Sequence, residues 1–564
     1  MSSHRKVPPS PTLHSHSEQV IVRRTTSSGI RGLVEERRIF GLALFCTIGG
    51  FLYGYNLGVF GGILVMSNFQ RKFPSISSSS MQGLISSILN LGAWLGTIQN
   101  GWASERLGRR KSITFACVFF VLGVSLQTGA QSVGYLFVGR FLTGFGVGAL
   151  SVASALYNSE ISPSPIRGAL GSLFQFSVET GTLLAFWIDY GTNNIGGSEE
   201  GQTEAAWRIP LALQLLPCFF LAIGILYAPE SPRWLISKSR QADALKALVS
   251  LRHLPADSPE VQMEYLEILG QHKFEAELDE EEHGGIKGGL KDSVRMAWHQ
   301  WSYLFKSAPN RKRVMVGVMV MLFQQWNGIN AILFYAPTIF KGLGLSGTTT
   351  SLLATGVVGI VMLIATVPTV IYLDRVGRKP TLIVGAIIMG CCHLILAVLS
   401  GLYQDSWSSH KAILLTAGWV ACVFVWIYSM AFATSFGPVA WVLCSEIFPL
   451  RARSKGLSIA ASSSWVNSFI VGMATPTMLA NLRFGTYIFF AVWCFLGAAF
   501  CLAIPETAGH SLEDMDVAFG DTNRTSMKDK ERMARINAEI GFDRYMSQEK
   551  PTTVLRESVT TSDV

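Results

Sequence analysis

The sequence predicts an all-α membrane protein whose twelve transmembrane helices form two six-helix halves. Of its 564 residues, 49% are hydrophobic and only 15% are charged, whereas a soluble chain carries roughly 25% charged residues. Twelve stretches between charges are mainly apolar and reach the roughly 20 residues that a membrane-spanning helix needs. Three pairs of motifs recur at similar separations along the chain, which indicates two related halves.

The predicted spans are rich in glycine and serine, as expected where helices pack closely in lipid. They begin near Ile39, Met81, Ser112, Tyr135, Gly168, Ile209, Val314, Ser351, Pro380, Ala412, Gly456 and Phe484.

The chain divides into five segments. Residues 1–38 hold seven Lys and Arg against three acids and predict a disordered tail. Residues 39–231 are the first half, and residues 232–313 are a polar linker with amphipathic segments that predict short helices. Residues 314–505 are the second half, and residues 506–564 are a polar tail.

Basic clusters lie in the connections on one side of the predicted spans. That side also carries both termini, so the positive-inside rule makes it cytoplasmic, and we expect a multi-pass protein of the plasma membrane. The clusters occupy residues 105–111, 232–240, 311–313, 374–379 and 450–455.

Several other functions lack support in the sequence. The net charge of +8 is spread over these clusters and does not form the basic face of a nucleic-acid-binding domain. Nine scattered cysteines show neither zinc-ligand spacing nor a disulfide framework. Since no nucleophile–base pair or ATP-binding signature occurs, we predict no enzyme activity, no cofactor and no metal.

The paired motifs place similar charges in both halves. "ASERLGRRKS" at 103–112 matches "YLDRVGRKPT" at 372–381. "SEISPSPIRG" matches "SEIFPLRARSKG", and "PESPR" matches "PETAG". Such a repeat suits two halves that rock about a site near the membrane midplane.

Together with "GR" at 139–140, "QQWNGIN" at 324–330 and "GPVAW" at 437–441, these motifs resemble the sugar porter family of the major facilitator superfamily. The resemblance covers about residues 39–515, and "FWIDYGTN" gives it a fungal character. It implies the major facilitator fold and transport of a monosaccharide, a hexose or a pentose, by alternating access. One chain with two halves suffices for that activity, so we expect a monomer in contact with membrane lipid.

A sugar offers many hydroxyls and little charge, so its site needs amides, hydroxyls and aromatic faces. Gln324, Gln325 and Asn330 supply amides at helical spacing in the seventh span. The resemblance implies that these residues line the sugar site; the alternative is hydrogen bonding between helices. The full set of predicted substrate contacts is Gln175, Gln324, Gln325, Asn330, Trp441 and Phe432.

Two positions depart from the family pattern. Met362 and Ser464 stand where the family commonly has asparagine. Losing two amides changes which hydroxyls are recognised, so glucose is not assumed as the substrate.

Asn56 bears on energy coupling. Proton-coupled members of the family often carry Asp at the matching position, near the arginine that corresponds to Arg140. Asp can exchange a proton there and Asn cannot, so Asn56 favours facilitated diffusion. The alternative is proton symport of a sugar or polyol through Glu179, an intramembrane acid four residues after Gln175.

Charged residues at the cytoplasmic ends of the spans predict a gate that opens when its ion pairs break. The alternative is that they only set orientation and form exposed pairs, each worth under about 1 kcal/mol. The candidates are Glu105, Arg109, Arg110, Glu160, Arg167, Asp374, Arg378, Glu446 and Arg453. Some relatives of sugar porters signal through long cytoplasmic tails, so a sugar sensor that does not transport is a third hypothesis.

Overall fold

The computed structural model describes residues 37–163, 167–197, 199–283, 302, 304–343, 348–403, 412–448, 453–507, 515, 519–520 and 524–542. Apart from Arg37 and Arg38, the predicted N-terminal tail lies outside the described residues. Within them the secondary structure is helical, with no strand.

The first half contains α1 (Arg37–Cys46), α2 (Ile48–Ile63), α3 (Ser67–Lys72), α4 (Ser79–Leu107), α5 (Arg109–Thr128), α6 (Val133–Ile161), α7 (Arg167–Thr192), α8 (Ala205–Leu213) and α9 (Leu215–Gly224). The insert contains α10 (Pro232–Ser237), α11 (Gln241–Arg252) and α12 (Pro259–His283). The second half contains α13 (Ala308–Trp326), α14 (Ile329–Gly342), α15 (Thr348–Val376), α16 (Arg378–Tyr403), α17 (Ala412–Thr434), α18 (Phe436–Glu446), α19 (Arg453–Asn481) and α20 (Gly485–Leu502). The described part of the C-terminal tail contains α21 (Arg524–Glu539).

Ten helical segments in the described residues are long and apolar enough to cross a membrane. They confirm the predicted all-helical membrane fold. The other two predicted spans correspond to α4 and α7, which are 29 and 26 residues long. These helices carry more polar side chains, among them the buried Ser86, Ser87 and Asn90 of α4. For α4 and α7, membrane crossing remains a prediction.

Glycines set the distance between α4 and α6. Gly92 and Gly96 lie against the backbone of α6, and Gly144 and Gly148 lie against the backbone of α4. A Cβ atom at any of these positions would collide with a carbonyl oxygen of the other helix. Close backbone approach of this kind is how membrane helices gain packing energy in lipid.

The insert helices lie at one end of the bundle, which we call the insert face. The Trp234 indole N–H donates to the Glu105 carbonyl at the end of α4, over 2.9 Å. Arg252 donates to the Ile161 carbonyl at the end of α6, over 3.0 Å. These bonds fix the insert to the first half.

The two halves touch at the opposite end of the bundle, which we call the far face. Gly61 near the end of α2 lies against the Phe334 carbonyl of α14, and Gly83 near the start of α4 lies against Met473 of α19. These contacts close the space between the halves on the far-face side.

The tail helix α21 packs on α12 of the insert. Ile536 is fully buried there beside Phe274 and Leu278. Lys273 forms an ion pair of 2.9 Å with Glu539, and arginines of α21 pair with glutamates of α12. The contact therefore combines an apolar centre with a charged rim.

Replacing Ile536 with alanine is expected to loosen α21 from α12, because deleting a buried isoleucine side chain costs about 2–5 kcal/mol. Trypsin should then cleave within α21 at least about tenfold faster in the folded protein. The control is Ala538→Ser, which changes an exposed residue of the same helix and leaves every trypsin site in place. Equal cleavage rates for Ile536→Ala and the parent protein would contradict this packing.

Candidate functional site

A cavity lined by both polar and apolar side chains lies between the two halves. The first half contributes residues of α2 and α7, and the second half contributes residues of six helices from α13 to α19. All six predicted substrate contacts line this one cavity. The lining residues are Tyr53, Leu57, Gln175, Val178, Glu179, Thr182, Gln324, Gln325, Ile329, Asn330, Leu333, Met362, Phe432, Gly437, Trp441 and Ser464.

A break between α13 and α14 brings two amides of the seventh span together. Gly328 has a φ of 99°, a left-handed conformation that favours glycine. Gln325 lies in the last turn of α13 and Asn330 in the first turn of α14, so their side chains meet across the break. The Asn330 amide N–H donates to Gln325 Oε1 over 2.5 Å.

These amides belong to a network that continues into α18 and α19. Gln324 donates to the Phe436 carbonyl over 2.8 Å. Gln325 donates to Gln324 Oε1 over 3.1 Å and to the Ser464 hydroxyl over 2.9 Å. Ser464 stands at a position where the family commonly has asparagine. Its hydroxyl therefore takes part in this hydrogen-bond network. The bonds hold the amides in fixed orientations at the cavity wall.

The opposite wall carries an amide and an acid from α7. Gln175 Nε2 donates to Glu179 Oε1 over 2.7 Å, as their spacing of one helical turn allows. Tyr53 of α2 also reaches the cavity, and its ring lies 5.2 Å from that of Trp465 in the second half.

Part of the wall is apolar. Met362 and Phe432 are buried and line the cavity with Leu57, Ile329 and Leu333. The cavity therefore presents amides, hydroxyls and one carboxyl beside apolar and aromatic surfaces. This combination suits a small polyhydroxylated molecule with one less polar face.

Two of the three predicted coupling residues, Asn56 and Arg140, are not among the residues that line the cavity, whereas Glu179 is. Asn56 is fully buried in α2, and its Nδ2 donates to Gln214 Oε1 over 2.8 Å and to the Leu52 carbonyl over 2.9 Å. Arg140 donates to the Ser86 carbonyl over 2.9 Å and lies over the Phe60 ring. The two predicted partners are therefore held by different neighbours.

Sequence reasoning missed several residues near the site. Gln214, the partner of Asn56, is an amide within an apolar stretch, which was a signal of the same kind as Asn56 itself. Tyr53 and Thr182 carried no such signal. Asp189, a second acid in α7, is fully buried beside Gly62 of α2 and lies within the quoted "FWIDYGTN" motif.

Four predicted gate residues of the first half, Glu105, Arg109, Arg110 and Glu160, lie together at the insert face. Arg109 makes a two-pronged ion pair with Glu160, with distances of 2.8 and 2.6 Å. Glu230 accepts the Arg109 backbone N–H over 3.0 Å. The Arg110 side chain donates to the Leu226 carbonyl. Glu105 takes part through its carbonyl, while its side chain is exposed.

The second half repeats this arrangement. Arg378 pairs with Glu446 over 2.7 Å, and Glu506 accepts the Arg378 backbone N–H over 2.9 Å. The Lys379 side chain donates to the Leu502 carbonyl over 2.6 Å. Each cluster lies within its own half.

The side chains of Arg167, Asp374 and Arg453 lie outside the described residues. Their predicted part in the gate therefore has no structural description. A gate that joins the two halves remains a prediction for the whole set.

The described residues form two related helical halves, with a cavity between them and a charge cluster at one end of each. This arrangement defines a membrane transporter. The chain belongs to the sugar transporter family: its residues 42–519 match the family described as "Sugar (and other) transporter". This confirms the predicted family and its transport function.

Similar curated proteins are fungal permeases. The chain is 34% identical to a "Probable quinate permease" of Aspergillus fumigatus over 514 residues, covering 87% of this chain and 90% of that permease. It is 31% identical to the "Quinate permease" of Neurospora terricola, covering 93% and 96%. The relatives are transporters, which agrees with the prediction that the chain is not an enzyme.

Solved structures of the Escherichia coli xylose transporter XylE share the fold. A partially occluded, inward-open form is 28% identical, with a TM-score of 0.66 over 84% of this chain and 99% of that one. The proton:xylose symporter bound to 6-bromo-6-deoxy-D-glucose is 30% identical, with a TM-score of 0.66 over 85% and 99%. These likenesses confirm the major facilitator fold.

Proposed function

We propose that the chain carries a monosaccharide, a hexose or a pentose, across the membrane by alternating access. The observation that carries this proposal is a cavity between the halves whose lining brings together Gln175, Gln324, Gln325, Asn330 and Trp441. Amides both donate and accept hydrogen bonds, as sugar hydroxyls require. The names of the relatives, for quinate and for xylose, support a polyhydroxylated ring as the substrate class.

Transport is uncoupled in this proposal. The buried Asn56–Gln214 contact joins two amides, and neither can exchange a proton in the physiological pH range. A proton-coupled cycle needs a group that alternates between charged and neutral forms. The amide pair therefore supports facilitated diffusion.

Proton symport is the second candidate, and Glu179 is the observation that favours it. This acid lines the cavity beside Gln175, and the similar XylE is described as a proton:xylose symporter. In that case Glu179 would take up a proton together with the sugar.

The insert face is cytoplasmic in this proposal, and the protein works as a monomer in the plasma membrane. All twelve predicted spans cross the bilayer, including α4 and α7. Contacts between the halves at the far face support a state in which the cavity faces the cytoplasm.

The test is uptake of radiolabelled hexoses, pentoses, disaccharides and polyols by cells that lack their own sugar transporters, with and without a protonophore. We expect uptake of a monosaccharide that equilibrates and is insensitive to the protonophore. Accumulation above the outside concentration that the protonophore abolishes would establish symport. Sugar-dependent signalling without uptake, by a protein that reaches the cell surface, would establish the sensor.

Replacing Asn56 with aspartate is expected to lower uptake about tenfold at pH 7.5, because a charge at this fully buried position loses its water. Uptake by Asn56→Asp should recover as the pH falls and the acid is protonated. The control is Asn56→Ala, which loses the hydrogen bond without adding a charge and should show the pH profile of the parent. Initial rates between pH 5 and 8 measure the effect; identical profiles for both variants would contradict it.

A further inference from the structure

We propose that Glu179 selects substrates by charge, so that the cavity accepts neutral or cationic polyhydroxylated molecules and rejects hydroxy acids. This inference rests on the proposed sugar transport and names its substrate class more narrowly. It assigns Glu179 a role in specificity that is separate from proton coupling.

The position of Glu179 is the first observation. Its side chain is 3% exposed and lines the cavity. Oε1 accepts the Gln175 amide N–H over 2.7 Å, and Oε2 has no protein hydrogen bond among the described residues. The bond from Gln175 orients the carboxyl and leaves one oxygen for a ligand.

The charge of the cavity is the second observation. Among the described residues that line it, no lysine, arginine or histidine occurs. Arg140, the buried cation of the first half, is not among the lining residues and donates to the Ser86 carbonyl. Arg313 lies near the insert-face end of α13 and donates to Asn310. A bound anion would therefore lose its water without gaining a cationic partner, and it would lie near a second carboxyl.

A neutral polyol can form hydrogen bonds with the polar groups of the same cavity wall. A carboxyl oxygen accepts hydrogen bonds from hydroxyls, and charge-assisted bonds of this kind are stronger than those between neutral groups. The amides of Gln324, Gln325 and Asn330 then serve the hydroxyls that face the second half. An ammonium group on the ring would meet Glu179 equally well.

Quinate distinguishes hydroxy acids from neutral polyols in this cavity, because it combines a polyhydroxylated ring with a carboxylate. The ring matches the amides and hydroxyls of the cavity, while the carboxylate finds no cation in the lining. The structure therefore assigns this chain a neutral ring in place of an anionic one.

The experiment measures competition at pH 7 against uptake of the best labelled monosaccharide. The competitors are the unlabelled sugar, its uronic acid, its amino sugar and quinate. We expect the uronic acid and quinate to inhibit the parent protein at least tenfold more weakly than the neutral sugar, and the amino sugar to inhibit at least as well as it. Inhibition by either acid as strong as that by the neutral sugar would overturn the proposal.

Variants at Glu179 test the residue itself. Glu179→Gln should reduce the discrimination against acids to less than threefold and weaken the amino sugar relative to the neutral one. Glu179→Asp keeps the charge and should keep the discrimination, whereas Glu179→Ser removes the charge and serves if the glutamine variant fails to reach the surface. Ser464→Ala changes the same cavity without changing charge and should weaken all competitors in similar proportion. An unchanged ratio in Glu179→Gln would overturn the role of this residue.

The outcomes separate the two proposals. If the parent takes up a neutral sugar and Glu179→Gln leaves the ratio unchanged, only the charge selection fails. If the parent reaches the surface and takes up quinate but no neutral sugar, sugar transport fails and the charge selection fails with it.

Discussion

Replacing Gln325 with alanine is expected to lower sugar transport at least tenfold at low sugar concentration, with the amount of protein at the surface unchanged. Gln325 donates to Gln324 and to Ser464 and accepts from Asn330. Its loss removes one amide from the cavity wall and frees its neighbours from their fixed orientations. A net loss of about 1–1.5 kcal/mol per hydrogen bond corresponds to roughly tenfold weaker binding for each bond lost.

The measurement is the concentration dependence of initial uptake, which separates KM from the maximal rate. Asn467→Ala is the matched control, because Asn467 accepts the Trp326 indole N–H over 2.6 Å and does not line the cavity. Its KM should stay within about twofold of the parent value. A parental KM in Gln325→Ala would show that the network is a helix–helix contact and not the sugar site.

Replacing Arg109 with alanine is expected to destabilise the folded protein strongly. The side chains of Arg109 and Glu160 are 12% and 7% exposed, so alanine leaves a nearly buried carboxylate without its partner. Removing one member of a buried pair costs about 3–5 kcal/mol. Arg378→Ala should cost less, because its partner Glu446 is 28% exposed and water can replace part of the lost interaction.

Thermal unfolding of the purified protein in detergent measures this order. We expect a lower midpoint for both variants, with the larger drop in Arg109→Ala, and a parental midpoint for Lys111→Ala, which changes an exposed residue of α5. The exchange Arg109→Glu with Glu160→Arg should recover part of the loss. Equal midpoints for Arg109→Ala and the parent would show that the pair contributes no stability.

Much of the fold could be predicted because the determining signals are local. Apolar length places a span, and a repeated motif places equivalent charges in each half. Thus Glu160 and Glu446 take equivalent positions beside Arg109 and Arg378. The helices α4 and α7 carry polar side chains that face other helices or the cavity. Length and hydropathy therefore predict these two spans less strongly than the other ten.

The residues of the site also differ in whether a local sequence signal predicts them. Gln324, Gln325 and Asn330 lie close in sequence, so helical spacing predicted that they would share a face. Tyr53 and Thr182 reach the cavity only through the packing of distant helices, which spacing does not encode. The Asn56–Gln214 contact joins residues 158 positions apart. The resemblance predicted Arg140, and not Gln214, as the residue near Asn56.

The measurement that tests the account most directly uses the purified protein in liposomes with a trapped pH indicator and a labelled monosaccharide. We expect that the sugar equilibrates across the membrane, that unlabelled sugar on the other side accelerates its exchange, and that the internal pH stays constant. Sugar entry accompanied by proton entry, or a pH gradient that drives the sugar above equilibrium, would contradict the uncoupled mechanism assigned to the Asn56–Gln214 pair.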